Sequence, residues 1–123
     1  NLNTLSLHDA LPICKVNRNL TDAEIRGVAK TGGVIGIGYW DAAICSTDPR
    51  AIAKAMRHVR DLVGIDYVGL GSDFDGATTT PCDTAGLTHV TQALIDEGFT
   101  DADIAKVMGG NVLRVLKAVL PPR

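Results

Sequence analysis

Long hydrophobic runs are missing from this chain. No apolar stretch approaches the roughly 18 residues that a membrane-spanning helix requires. A basic block is missing too. Lys and Arg number 12 against 14 Asp and Glu, for a net charge of −2, so nothing points to nucleic acid or an anionic membrane. Aromatics are few: Trp40, Tyr39, Tyr67, Phe74 and Phe99. The core must be built mainly from Val, Ile, Leu and Ala. Cys14, Cys45 and Cys82 form no C-x-x-C pair, and an odd count supplies no disulfide framework. Three reduced thiols are expected. His58 lies mid-helix between basic residues and His89 starts a helix; neither has a partner at metal-ligand spacing, so no zinc cluster is legible. What is present is ordinary for a globular protein: 46% hydrophobic and 21% charged residues in a 123-residue chain, enough for one domain.

Residues 1–13 stand apart. The run Thr4–Ile13 has no clear period and matches nothing downstream. It resembles the translation of a common DNA-sequencing adapter, so residues 1–13 are expected to be an artefact fused to the fold of residues 14–123. His8-Asp9 as part of a metal site is the competing reading.

The rest alternates helix and strand. Thr21-Asp22-Ala23-Glu24 reads as a capping box, and Ile25, Val28 and Ala29 follow at helical spacing. Gly32-Gly33 ends that helix near Lys30 or Thr31. Val34–Tyr39 is short and almost continuously apolar, as expected of a parallel strand covered on both faces. Asp48-Pro49 opens a helix over residues 49–63, with Ile52, Met56, Val59 and Val63 on one face. Tyr67–Gly71 reads as a second buried strand. Helices follow over Leu87–Glu97, from Thr100 to the Gly109-Gly110 break, and from Asn111, which is expected to cap the last one. Two parallel strands without strand neighbours leave backbone groups unpaired. The fold class expected is therefore α/β, the back portion of a larger domain; in a (β/α)8 barrel, which takes around 250 residues, this chain would be the last third or half.

Asp73 is the strongest candidate for chemistry. It follows a buried strand directly, where α/β active sites form. In an extended segment Asp73 and Asp75 would point the same way, and paired carboxylates bind a cation or share a proton. An Asp-Gly turn bonded to its own backbone is the alternative. Arg18, ahead of the first helix, either binds an anion or is a solvated surface group. Gly33, Gly36 and Gly38 lack phosphate-loop spacing and point instead to close backbone packing. Tyr39 and Trp40 either line a pocket or pack in the core.

Four segments occur in order: Asn17-Arg18-Asn19-Leu20-Thr21-Asp22, Gly32-Gly33-Val34-Ile35-Gly36, Val68-Gly69-Leu70-Gly71-Ser72-Asp73-Phe74-Asp75-Gly76 and Gly109-Gly110-Asn111-Val112-Leu113-Arg114-Val115. Together they resemble the C-terminal part of the membrane dipeptidase (renal dipeptidase) family of zinc metallopeptidases. The resemblance implies a barrel of the amidohydrolase type that hydrolyses dipeptides with two zinc ions sharing a hydroxide. Asp73 would move a proton from that water towards the leaving amine, and Arg18 would grip the dipeptide's terminal carboxylate. Asp75 would support the loop. The family's metal ligands have no matching positions here. A pocket Tyr of some relatives falls near Ala43, so it is absent here or replaced by Tyr39 or Trp40. The resemblance further implies a dipeptide as partner, room for a homodimer in the intact enzyme, and a cytoplasmic location for a bacterial member. This chain alone is expected to be inactive and unstable. Two alternatives stay open: a Mg-dependent phosphohydrolase of the haloacid dehalogenase type using Asp73 and Asp75, and a non-catalytic barrel remnant.

Overall fold

A computed structural model describes residues 5–6, 14, 16 and 19–121. Three strands, β1 (Leu5–Ser6), β2 (Val34–Gly38) and β3 (Val68–Gly71), form one sheet in that order. Both pairings are parallel, with Leu5 opposite Val34 and Gly38 opposite Gly71. Helices α1 (Asp22–Lys30), α2 (Asp41–Ile44) and α3 (Pro49–Val63) precede β3, and α4 (Leu87–Asp96), α5 (Asp101–Ala105) and α6 (Asn111–Val119) follow it. Parallel strands joined through helices are the α/β architecture expected from the alternation of periods.

Local chemistry accounts for most boundaries. At α1 the box closes both ways: Glu24 N donates to Thr21 Oγ1 at 3.3 Å, and Thr21 N donates to Glu24 Oε2 at 2.7 Å. Asp48 caps α3 by accepting from Arg50 N at 2.9 Å, with Pro49 in the first turn. Thr100 and Asp103 close a second complete box at α5. The inward faces are the expected ones. Ile52, Met56 and Val59 of α3 and Val90, Ala93 and Leu94 of α4 are buried with Ile35 and Ile37 of β2. Each of these side chains except Ala93 stabilises by roughly 1.5–3 kcal/mol relative to exposure. Close approach of the strands requires glycine at position 71, where a Cβ would stand 2.8 Å from the carbonyl carbon of Gly36 on the next strand.

Two expectations need correcting. Asn111 does not cap α6. It is the helix's first residue, is 2% exposed, and sends its amide to the carbonyls of Ile65 and Val68 at 2.7 and 2.8 Å. Tertiary acceptors outcompeted the local cap. The cysteines are not all free, because Cys14 and Cys45 form a disulfide with Cα atoms 5.5 Å apart, leaving Cys82 as the free thiol. Their separation of 31 residues carries no pairing signal, and only the packing of residue 14 against α2 brings them together. The short helix α2 and the strand β1 went unread, since neither is long enough to show a period.

Candidate active site

Because β2 and β3 run parallel in register, their carboxyl ends lie at one edge of the sheet. Tyr39 and Trp40 leave β2 there, and Ser72-Asp73 leave β3. The two strand ends touch: the rings of Tyr39 and Phe74 meet edge-on at 5.8 Å between centroids. The loop after β3 also returns to α2, where Asp41 N donates to Thr79 O at 3.0 Å.

Asp73 is exposed at this edge, and Asp75 is exposed two residues on. The premise of an extended segment fails. Asp73 has φ 54°, in the left-handed region, and its carbonyl accepts from Gly76 N at 3.0 Å and from Thr78 Oγ1 at 3.1 Å. Residues 73–76 therefore form a turn, so strand alternation does not set the direction of the two carboxylates. Strained backbone at a polar residue beyond a strand end is a recurrent property of functional sites. A shallow groove of about 450 Å³ beside this turn is lined by Phe74, Thr80, Cys82, Asp83 and Thr84. Burial, and secondarily the Asp83 charge, pushes the Cys82 thiol above its ordinary value, which makes it a poor nucleophile.

Arg18 lies outside the described residues. Its neighbour Asn19 is described: the Asn19 amide donates to Cys14 O at 2.8 Å and to Ala43 O at 2.9 Å. With the Cys14–Cys45 bond, this ties the flanks of residues 15–18 to α2. Tyr39 and Trp40 pack in the core, at 0% and 7% exposure, and Ala43 is 2% exposed. The Tyr39 hydroxyl finds no hydrogen-bond partner among the described residues, and burial raises its pKa strongly. His58 is half-buried on α3 and pairs with Asp22 of α1 at 2.9 Å.

The motif at the end of the chain is structural. Besides Asn111, Arg114 donates to Gly32 O at 2.9 Å and to Asp66 O at 2.8 Å. Both residues thus hold α6 to the turns that precede β2 and β3, at the end of the sheet opposite Asp73. Sequence reasoning missed this latch; its only trace was an Arg three residues after an Asn at a helix start.

A parallel α/β unit with a carboxylate just past a strand's carboxyl end is the arrangement in which α/β barrels place their sites. The sequence matches the family described as membrane dipeptidase (peptidase family M19) over residues 5–120, and the chain belongs to that family. It is 35% identical over 120 residues to an "uncharacterized protein in pqqA 5'region" of Klebsiella pneumoniae, across 90% of this chain and 44% of that protein. It is 33% identical over 115 residues to the dipeptidase aclJ of Aspergillus oryzae, across 87% of this chain and 27% of that one. Its fold matches a metallopeptidase of Rhodobacter sphaeroides, solved with a phosphinate mimic of the dipeptide L-Ala-D-Ala. The TM-score is 0.83 at 25% identity, covering 92% of this chain and 35% of the other. The chain thus spans less than half the length of these relatives. The fold is that of the C-terminal part of the family's barrel.

Among the described residues no three His, Cys, Asp or Glu side chains converge in a set that could hold a metal. The exposed pair Asp73 and Asp75 does not make one. The residues described here do not fit a metal centre by themselves, and no step through a metal is derived from them. Among the described residues no helix is long and apolar enough to cross a membrane.

Proposed function

We propose that this chain is the C-terminal part of a zinc-dependent dipeptidase, with Asp73 as its proton carrier and Arg18 as its anchor for substrate. The observation that carries the reading is the place of Asp73: an exposed carboxylate just past the carboxyl end of β3, inside the segment that matches the dipeptidase family. A carboxylate there can accept a proton from the attacking water and return it to the leaving amine nitrogen. A guanidinium forms two parallel bonds to a carboxylate, which suits Arg18 to the free C-terminus of a dipeptide and restricts substrate length. The metallopeptidase solved with a dipeptide mimic supports the substrate class. Zinc ligands would come from parts of the full-length enzyme beyond this chain, so the 123-residue chain alone should not turn over dipeptides. The reading of residues 1–13 as adapter-derived belongs to this proposal. Leu5 and Ser6 nonetheless pair with β2, and sequencing the gene across this junction tests the point.

The experiment is to purify the full-length gene product, measure its zinc content and assay it on dipeptides of both stereochemistries. Turnover is expected, with Asp73→Asn lowering kcat by roughly 100-fold or more. A zinc-loaded full-length protein that hydrolyses no dipeptide sinks the assignment. Mg2+-dependent cleavage of phosphate esters instead would revive the phosphohydrolase reading. Appreciable turnover by the isolated 123-residue chain would overturn its proposed inactivity.

A further inference from the structure

The turn after β3 uses its residue types in an inverted way. Asp73 (φ 54°) and Ala77 (φ 55°) occupy the left-handed region that favours glycine, whereas Gly76 between them does not. Backbone conformation therefore gives no reason for glycine at position 76. Neither does the bond that closes the turn, since any residue but proline could supply the N–H that donates to Asp73 O. Space gives the reason. A Cβ built on Gly76 would stand 2.6 Å from Asp73 Oδ1 and 2.8 Å from both Oδ2 and Cγ. The Asp73 carboxylate lies over the one residue in the turn that has no side chain.

The backbone of Asp73 is held. Its carbonyl takes two donors, Gly76 N at 3.0 Å and the Thr78 hydroxyl at 3.1 Å. With that peptide held and Cα fixed at positive φ, little freedom remains except the side-chain torsions, and those adopted here use the space that a Cβ on Gly76 would fill. We propose that Gly76 is a positioning residue for Asp73, its missing Cβ leaving the space that the carboxylate occupies, with Thr78 clamping the Asp73 peptide from the other side. This rests on the reading of Asp73 as the proton carrier. Misplacing a reacting group by about an ångström costs on the order of 100-fold in rate.

The test compares Gly76→Ala, Thr78→Val and Thr78→Ser in the full-length enzyme. Gly76→Ala is expected to lower kcat by roughly 10- to 100-fold, with KM changed less than about threefold, because proton transfer and not substrate binding is disturbed. Its kcat–pH profile should shift, while its thermal midpoint stays close to that of the wild type. Thr78→Val should lower kcat several-fold and Thr78→Ser should restore it. Wild-type kcat and pH profile in Gly76→Ala overturn the proposal. If Gly76→Ala does not fold, the Thr78 pair decides: equal kcat in the Val and Ser variants then overturns it. If the wild type hydrolyses no dipeptide, the functional reading fails separately. A crystal structure of Gly76→Ala then still decides the geometry, since a displaced Asp73 carboxylate supports the proposal and an unmoved one refutes it.

Discussion

The side-chain amide of Asn111 donates to the carbonyl of Val68 at 2.8 Å, joining the start of α6 to the start of β3 across 43 positions of sequence. The same nitrogen donates to Ile65 O at 2.7 Å, so both N–H bonds of one amide are spent on one turn. Asn111→Ala removes the side-chain donor from both carbonyls, of which Ile65 O keeps the Val68 N–H, and should cost about 1–3 kcal/mol in urea unfolding. Asn111→Asp, nearly the same shape but an acceptor, should be no better at neutral pH. An Asp variant as stable as the wild type would show that shape, not donation, matters at this position.

The Cys14–Cys45 bond closes a loop of 31 residues. Chain-entropy arithmetic for a loop of that size gives about 3–4 kcal/mol. In the denatured, unreduced chain one thiol, Cys82, should react with a thiol reagent, and all three should react after reduction. Reduction should also lower the urea midpoint. Three reactive thiols before reduction would refute the pairing.

Arg18 is proposed to bind the terminal carboxylate of the substrate. Replacing it by Ala in the full-length enzyme should lower kcat/KM by roughly 10- to 100-fold, the worth of a charge-assisted bond. The loss should fall mostly in KM, and it should nearly vanish for dipeptide amides, which lack that carboxylate. An equal loss on both substrate types would remove Arg18 from this role.

Asp48 takes hydrogen bonds from the Arg50 side chain and the Arg50 backbone, which hold its carboxyl below the usual value of 3.8. A folded value below the unfolded one means the stabilisation is complete above pH 3.8 and drains away as pH falls through the lower folded value. Asp48→Asn keeps a capping oxygen and loses the charge. It should be slightly less stable than wild type at neutral pH, and the gap should close as pH falls through the lowered folded value. The gap stays small because the pair is solvated. A gap independent of pH would assign the effect to the cap alone.

Among the described residues β3 has β2 on one side and no strand on the other. Leu113, Val119 and Leu120 at the end of the chain are half exposed or more. An open parallel edge and exposed apolar side chains each invite association. The isolated chain should sediment as a concentration-dependent mixture, and the full-length enzyme as a single species. A monodisperse monomer at all concentrations would contradict this.

The helices and strands were legible wherever one local signal sufficed. Thr21 with Glu24 and Asp48 with Pro49 start helices where the sequence places them, because a cap needs only residues three positions apart. Ile52, Met56 and Val59 announce their buried face by period alone. The place of Asp73 after a strand was equally readable. Its geometry was not: i, i+2 alternation holds only in extended backbone, and the positive φ of Asp73 lies in a turn closed by bonds from Gly76 and Thr78 further along. Arg18 was legible only as part of a resemblance, since a lone Arg before a helix carries no chemistry of its own.

The amino-acid sequence by itself determined the order of elements, the inward faces and the acid beyond β3, because each is encoded within a few neighbouring residues. Only the tertiary structure decided that Cys14 meets Cys45, that Asn111 serves β3 instead of its own helix, and that the Asp73 carboxylate rests over Gly76. Those are meetings of distant segments or of backbone torsions, and they exist only once the sheet and helices have packed.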